Sequence, residues 1–222
     1  MAVVVALENA SAGYGGVPVF SGLDLNVHAG EHVAIMGRSG AGKSTLLNLI
    51  YSRFARSAAL VPQASALVSN LSVFHNVFMG RLDRHSTLYN LRTLLLPSAL
   101  EIKAVANVLS SIGLAEKIFA KAGELSGGQQ QRTSVARAIY NGRPIVIGDE
   151  PVSALDRVQA GEVLRLICQQ HETAIFALHD IRLALDFTDR VVLIEGGTIV
   201  LDERSENLSL AQLLSYFEGE PQ

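Results

Sequence analysis

The 222-residue chain has no tryptophan, one cysteine and only a small surplus of acidic over basic residues. A lone cysteine, Cys168, cannot form an internal disulfide, and a reducing compartment is the simpler setting for it. Eighteen Lys and Arg stand against 21 Asp and Glu, a formal charge of −3. A dedicated DNA-binding protein usually carries a basic excess, so no nucleic-acid partner is expected. A small anionic ligand held by one local pocket stays open. No apolar run approaches the roughly 18 residues of a membrane-spanning helix. The apolar start at residues 1–7 has no basic stretch before it and meets Glu8 at once. That predicts a first strand rather than a secretory leader.

What is present suits a packed globular chain. Hydrophobic residues make up 49% of the sequence and the mean hydropathy is +0.29, which excludes intrinsic disorder. At about 150 residues per domain, the length predicts one large domain or a core with an inserted subdomain. Such a chain buries about 70% of its unfolded surface and needs neither disulfide nor metal to fold.

Residues 3–7, 17–27 and 32–36 read as strands, the second from Leu23, Leu25 and Val27 alternating with Asp24, Asn26 and His28. An apolar helical stretch follows at 46–50. Ser98 and Glu101 have the spacing of a capping box. Behind them Ile102, Val105, Leu109 and Ile112 lie three or four apart on one helix face, until Gly113. Strands return at 144–147 and 173–178 with a helical pattern at 158–170 between them. Residues 191–194 and 198–201, split by Gly196 and Gly197, predict a hairpin, and 205–222 a short helix with a loose end. Alternating strands and helices predict an α/β layer architecture.

Between the strand at 32–36 and the helix at 46–50 lies Gly37-Arg38-Ser39-Gly40-Ala41-Gly42-Lys43-Ser44-Thr45. Its glycines let successive backbone N–H groups turn toward phosphate oxygens, and the helix N-terminus adds partial positive charge. In such a loop Lys43 reaches the β- and γ-phosphates and the Ser44 hydroxyl binds Mg²⁺. A bare glycine-rich turn would also match the pattern, but the flanking strand and helix supply the context a phosphate loop requires. The apolar run 145–147 delivers Gly148, Asp149 and Glu150. Two adjacent acids at a buried strand end are costly unless they face a ligand. Asp149 suits a water-linked Mg²⁺ contact and Glu150 suits polarising a water molecule. No other His or Cys cluster has metal-site spacing, so Mg²⁺ arriving with nucleotide is the one metal expected.

Leu125-Ser126-Gly127-Gly128-Gln129 opens a helix running on through Gln131, Arg132 and Ala136. This segment resembles the signature motif of ATP-binding cassette (ABC) ATPases, and further motifs follow in that family's order. Gln63 resembles the Q-loop glutamine, residues 153–156 the D-loop ending in Asp156, and His179 the switch histidine. Tyr14, 29 residues before Lys43, stands where the family places an aromatic against adenine. The resemblance implies a single ABC ATPase domain over 1–222. That domain has a RecA-like phosphate-loop core, a small antiparallel β subdomain and a helical subdomain inserted at about 66–138. It implies ATP and Mg²⁺ as cofactors, with Ser44, Gln63 and Asp149 around the metal, and the Lys43 loop, Tyr14, Gln63, residues 126–129 and Asp156 around nucleotide. Lys43, Glu150 and His179 are the implied catalytic groups.

The implied partners are a second copy arranged head to tail, so that Ser126 and Gly128 of one meet the γ-phosphate held by Lys43 of the other, and a separate membrane permease with its solute-binding protein. The protein would then sit in the cytoplasm, peripheral on the inner face of the cell membrane. Residues 71–77, 80–82 and 91–97, with 125–132, resemble the ATP-binding subunit of phosphonate importers. A soluble accessory ATPase of phosphonate breakdown, attached to a carbon–phosphorus lyase, is the alternative. Chromosome-type ABC heads carry a long coiled coil between phosphate loop and signature, for which there is no room here. A nucleotide-gated binding module without turnover fits poorly with both Glu150 and His179. The chain departs from the family after the phosphate loop, where Gln63 lies only 18 residues beyond Thr45, about half the expected distance, which predicts a shortened β subdomain. No regulatory C-terminal domain is expected after the core.

Overall fold

Val3–Tyr14 (β1) and Val17–His28 (β2) form an antiparallel pair, a two-stranded sheet. Leu23, Leu25 and Val27 of β2 face inward while Asp24 and Asn26 face water, the period of two that a half-buried strand requires; Phe20 is buried too, but three residues before Leu23, across Gly22 at φ 69°. β1 is longer than the apolar run at 3–7 because it continues through a register shift between Leu7 and Ala10. Asn9 turns there with φ of 46° and its N–H donates to Asp24 Oδ1 at 2.6 Å; asparagine tolerates this left-handed turn better than most side chains. The computed structural model describes residues 2–217, apart from the Tyr14 side chain. Of the expected C-terminal helix and loose end, residues 218–222 lie outside the described residues.

A second sheet has six strands: His32–Met36 (β3), Ala58–Val61 (β4), Ile145–Asp149 (β5), Thr173–Ala177 (β6), Arg190–Glu195 (β7) and Thr198–Arg204 (β8). Their order is β4-β5-β6-β3-β7-β8, parallel from β4 to β7, with β8 antiparallel at the edge. The β7–β8 hairpin is the one expected around Gly196 and Gly197. Central parallel strands are covered on both faces and therefore read as continuous apolar runs. Their alternate side chains divide the core in two. Val33, Ile35, Ile147 and Ile175 join β1, β2 and Lys43–Phe54 (α1) in one cluster. Ala34, Met36, Val146 and Phe176 join the other cluster, under the remaining helices.

Those helices are Val73–Phe78 (α2), Thr87–Leu95 (α3), Ala99–Ser111 (α4) and Gly127–Asn141 (α5), all between β4 and β5, then Arg157–Gln170 (α6), Ile181–Phe187 (α7) and Leu210–Phe217 (α8). Among the described residues no single helix is long and apolar enough to cross a membrane. The capping box expected at the start of α4 is only half formed. Ser98 Oγ accepts from the Glu101 N–H at 3.3 Å, but the Glu101 carboxylate turns inward. It accepts from Tyr89 at 2.9 Å and from the buried Tyr140 hydroxyl. Two phenol donors, one of them buried, outcompete one backbone N–H. The full reciprocal box lies at α5, between Ser126 and Gln129.

Candidate functional site

The phosphate-loop segment begins where β3 ends. Gly37 has φ of 149°, and a Cβ there would lie 2.3 Å from the Ile194 carbonyl oxygen, so only glycine fits. Gly42, at φ 100°, is the N-cap of α1, and a Cβ on it would come within 2.7 Å of Val19. Lys43 is thus the first helical residue, with Ser44 and Thr45 in the same turn. No acidic residue occupies that first turn, leaving the N-terminal N–H groups and the helix dipole available to an anion. The Lys43 side chain is only 7% exposed, and its Nζ donates to the carbonyls of Gly37 at 2.8 Å and Arg38 at 3.1 Å. Burial lowers the Lys43 pKa, and the negative charges of Glu150 and Asp149 offset part of that effect.

Parallel neighbours β4, β5, β6 and β3 present their C-terminal ends along one edge, where open α/β sheets bind ligands. Gln63 follows β4, Asp149 ends β5, and His179 follows β6. Asp149 is 9% exposed, and its Oδ1 is buried with no hydrogen-bond partner. Glu150, the next residue, takes φ of 52°, which swings its carboxylate out of the strand direction. Its Oε1 meets His179 Nε2 at 2.6 Å, with the imidazole about half exposed. A cavity of about 390 Å³ is lined by Val19, Ser39, Gly40, Gly42, Lys43, Ser44, Thr45, Gln63, Glu150 and His179. Seven candidate nucleotide and metal residues and two candidate catalytic acid–base groups therefore share one cleft with Val19. Gly37, Arg38 and Ala41 belong to the same loop but do not line the cavity.

The signature residues stand apart from that cavity. Ser126 is the N-cap of α5: its Oγ accepts from the Gln129 N–H, and Gln129 Oε1 accepts from the Ser126 N–H at 3.0 Å. Nothing lies within 4 Å of a Cβ built on Gly127, so this helix end is open. Gly128 lies against the D-loop, with a Cβ there 3.2 Å from the Ala154 carbonyl oxygen. Asp156 caps α6, accepting from the N–H groups of Val158 and Gln159, both at 3.0 Å. Tyr14 is the last residue of β1, its side chain outside the described atoms. Gln131 was legible only as part of the signature helix. It is 5% exposed and hydrogen-bonded to both Glu150 and the D-loop, and no spacing in the sequence marks that contact.

Residues 20–153 match the ABC transporter family. The chain belongs to that family. Over 92% of its length it is 35% identical to the phosphonates import ATP-binding protein PhnC 1 of Pseudomonas savastanoi pv. phaseolicola, covering 88% of that protein. Over 97% it is 34% identical to the phosphonates import ATP-binding protein PhnC of Pseudomonas entomophila, covering 92%. Among solved structures, the dimeric form of a bacterial ABC transporter cassette aligns over 91% of this chain and 99% of that one, with a TM-score of 0.79 and 26% identity. A nucleotide-free ATP-binding cassette of an ABC transporter aligns over 98% and 100%, with a TM-score of 0.80 and 19% identity; at that identity the likeness is one of fold. This ABC chain is an ATP-hydrolysing enzyme of transport, with the α/β cassette architecture of its family.

Proposed function

We propose that the chain powers import of a phosphonate-like solute, as an ATPase subunit seated on the inner face of the cell membrane through a separate permease and served by a solute-binding protein. The names of the relatives at 34–35% identity support the solute class. One observation carries the site assignment: the Glu150–His179 pair at 2.6 Å shares a cleft with Lys43 and the helix-capping phosphate loop.

Phosphoryl transfer needs positioning and charge stabilisation above all. The loop N–H groups and Lys43 hold the β- and γ-phosphates, and Tyr14 offers its ring to the adenine. For Lys43 this means exchanging two carbonyl acceptors for phosphate oxygens. Glu150 orients the attacking water and takes up its proton as the bond to ADP breaks, while His179 holds the Glu150 carboxylate and reaches the γ-phosphate side. The Asp149 oxygen without a partner, the Ser44 hydroxyl and the Gln63 side chain fit Mg²⁺. When bound, that ion neutralises charge on the phosphates. The open end of α5, with Ser126, Gly127, Gly128 and Gln129 away from the cavity of their own chain, supports a head-to-tail pair of copies. In that pair the partner's Ser126 completes the site, and Asp156 sits near the shared boundary.

Glu150→Gln tests the reading. A general base typically contributes about 10²–10⁴-fold to rate, so turnover should fall by at least about 100-fold while ATP affinity holds and a dimer accumulates on gel filtration with ATP. Turnover near the native rate would remove Glu150 from the chemistry. The solute assignment is tested separately: permease reconstituted with phosphonate-loaded receptor should stimulate the ATPase, and absence of stimulation by any phosphonate would refute import of that class.

A further inference from the structure

A buried glutamine inside a helix must satisfy a carbonyl and two N–H donors or lose stability. Gln131 satisfies them entirely at Glu150 and the loop behind it. Its Nε2 donates to the Glu150 carbonyl oxygen at 2.8 Å and to Ser153 Oγ at 3.1 Å, and its Oε1 accepts from the Ala154 N–H at 2.8 Å. Glu150 needs such a hold. It stands at φ 52°, a left-handed conformation rare outside glycine, asparagine and aspartate. Its N–H is tied to the Ala177 carbonyl at 3.2 Å, which leaves the carbonyl side to Gln131 and to the Ser153 N–H at 3.3 Å. The sparsely populated backbone persists only where its surroundings over-determine it.

We propose that Gln131 is a positioning residue for hydrolysis: by bonding the Glu150 carbonyl and the D-loop together, it sets the angle at which the Glu150 carboxylate leaves the strand and meets His179. The inference rests on the assignment of Glu150 as the group that directs water. It has a second consequence. Gln131 lies in the first two turns of α5, two residues beyond the Ser126–Gln129 cap. Displacement of the signature end of the helix is thereby transmitted to the carboxylate through one side chain, over a contact already tightened by Gly128 against Ala154. In the proposed head-to-tail pair, a helix end that engages one nucleotide is thereby linked to the water-directing carboxylate of the other.

Two variants separate positioning from bulk support. Gln131→Met keeps the length and removes all three bonds; Gln131→Glu keeps the acceptor for Ala154 and loses the donors to Glu150 and Ser153. Steady-state ATPase, ATP affinity by a fluorescent ATP analogue and thermal melting are measured beside the native protein and Glu150→Gln. In both variants the turnover rate should drop by about 10-fold or more, with KM and ATP affinity within about 2-fold of native, the pattern of a contact that matters only to the chemical step. A native turnover rate in either variant overturns the proposal. So does parallel loss of ATP affinity and turnover, or failure of both variants to fold, since each would make Gln131 a prop for the whole site. If Glu150→Gln itself turns over normally, the assignment of Glu150 fails first, and that is a different result from Gln131→Met being silent beside an inactive Glu150→Gln.

Discussion

Lys43 is held in a place that disfavours its own charge. Its amine is buried against two backbone carbonyls, and burial holds its pKa below the usual 10.5 although Glu150 and Asp149 pull the other way. In the proposed site, phosphate oxygens on Lys43 bring opposite charge and raise that pKa again. Between the lowered free value and the raised bound value, ATP binding must therefore take up a proton. Affinity for ATP should be flat near neutral pH and decline as pH climbs toward the ordinary lysine value. Calorimetry in two buffers of different ionisation heat should detect the proton uptake. Lys43→Met should bind ATP more weakly at neutral pH and lack both the decline and the uptake. A native profile as flat as the variant's would place Lys43 outside the phosphate contacts. The neighbouring backbone leaves little freedom: Gly37→Ala would drive a methyl into the Ile194 carbonyl, so the loop conformation and the Lys43 position stand or fall together.

α5 joins opposite tasks at its two ends. Its N-terminus carries the Ser126–Gln129 box and the open glycine, and its last turn anchors the helical layer through Tyr140. The Tyr140 hydroxyl donates to the Glu101 carboxylate of α4, itself only 7% exposed, while the Arg81 guanidinium stacks 4.2 Å from the ring centroid. Burial and the Glu101 contact together raise the Tyr140 pKa. Tyr140→Phe keeps the ring and the cation contact but removes one donor from a buried carboxylate. A loss of about 1–3 kcal/mol follows from the cost of an unmet polar group, readable as a lower midpoint in urea with unchanged slope. Equal midpoints would mean that Glu101 finds another donor. The sequence made β3, β5 and β6 legible because they are buried on both faces and run apolar and β-branched between turns. Ala58–Val61 is a largely buried edge strand, but four residues with two alanines have no period of their own, and β4 exists through its pairing with β5. The phosphate loop, the acidic pair and the signature were legible because their chemistry fixes residue type at fixed spacing. The inward turn of Glu101 and the reach of Gln131 to Glu150 depend on contacts across 39 and 19 residues, which no local pattern encodes.

At the scale of the molecule, the separation of the α1 and α5 N-termini is the decisive feature. The end of α1 opens into the cavity with Glu150 and His179, whereas none of the signature residues lines that cavity. If the signature end completes catalysis, it must do so for another copy, and the active species is a dimer whose population follows mass action. Specific ATPase activity should therefore rise with protein concentration and level off once the dimer is saturated. Below the dimer dissociation constant, total activity should scale with the square of concentration. Mixing supplies the sharper measurement. Lys43→Ala lacks the phosphate contact and Ser126→Arg blocks the signature end with bulk and charge, so each variant alone should be nearly inactive. Combined, they can assemble one intact composite site, from the native phosphate loop of one chain and the native signature of the other, and activity should return to a fraction of native. Specific activity independent of concentration, together with no recovery on mixing, would show that a single chain closes its own site and that the outward-facing signature end serves some other purpose.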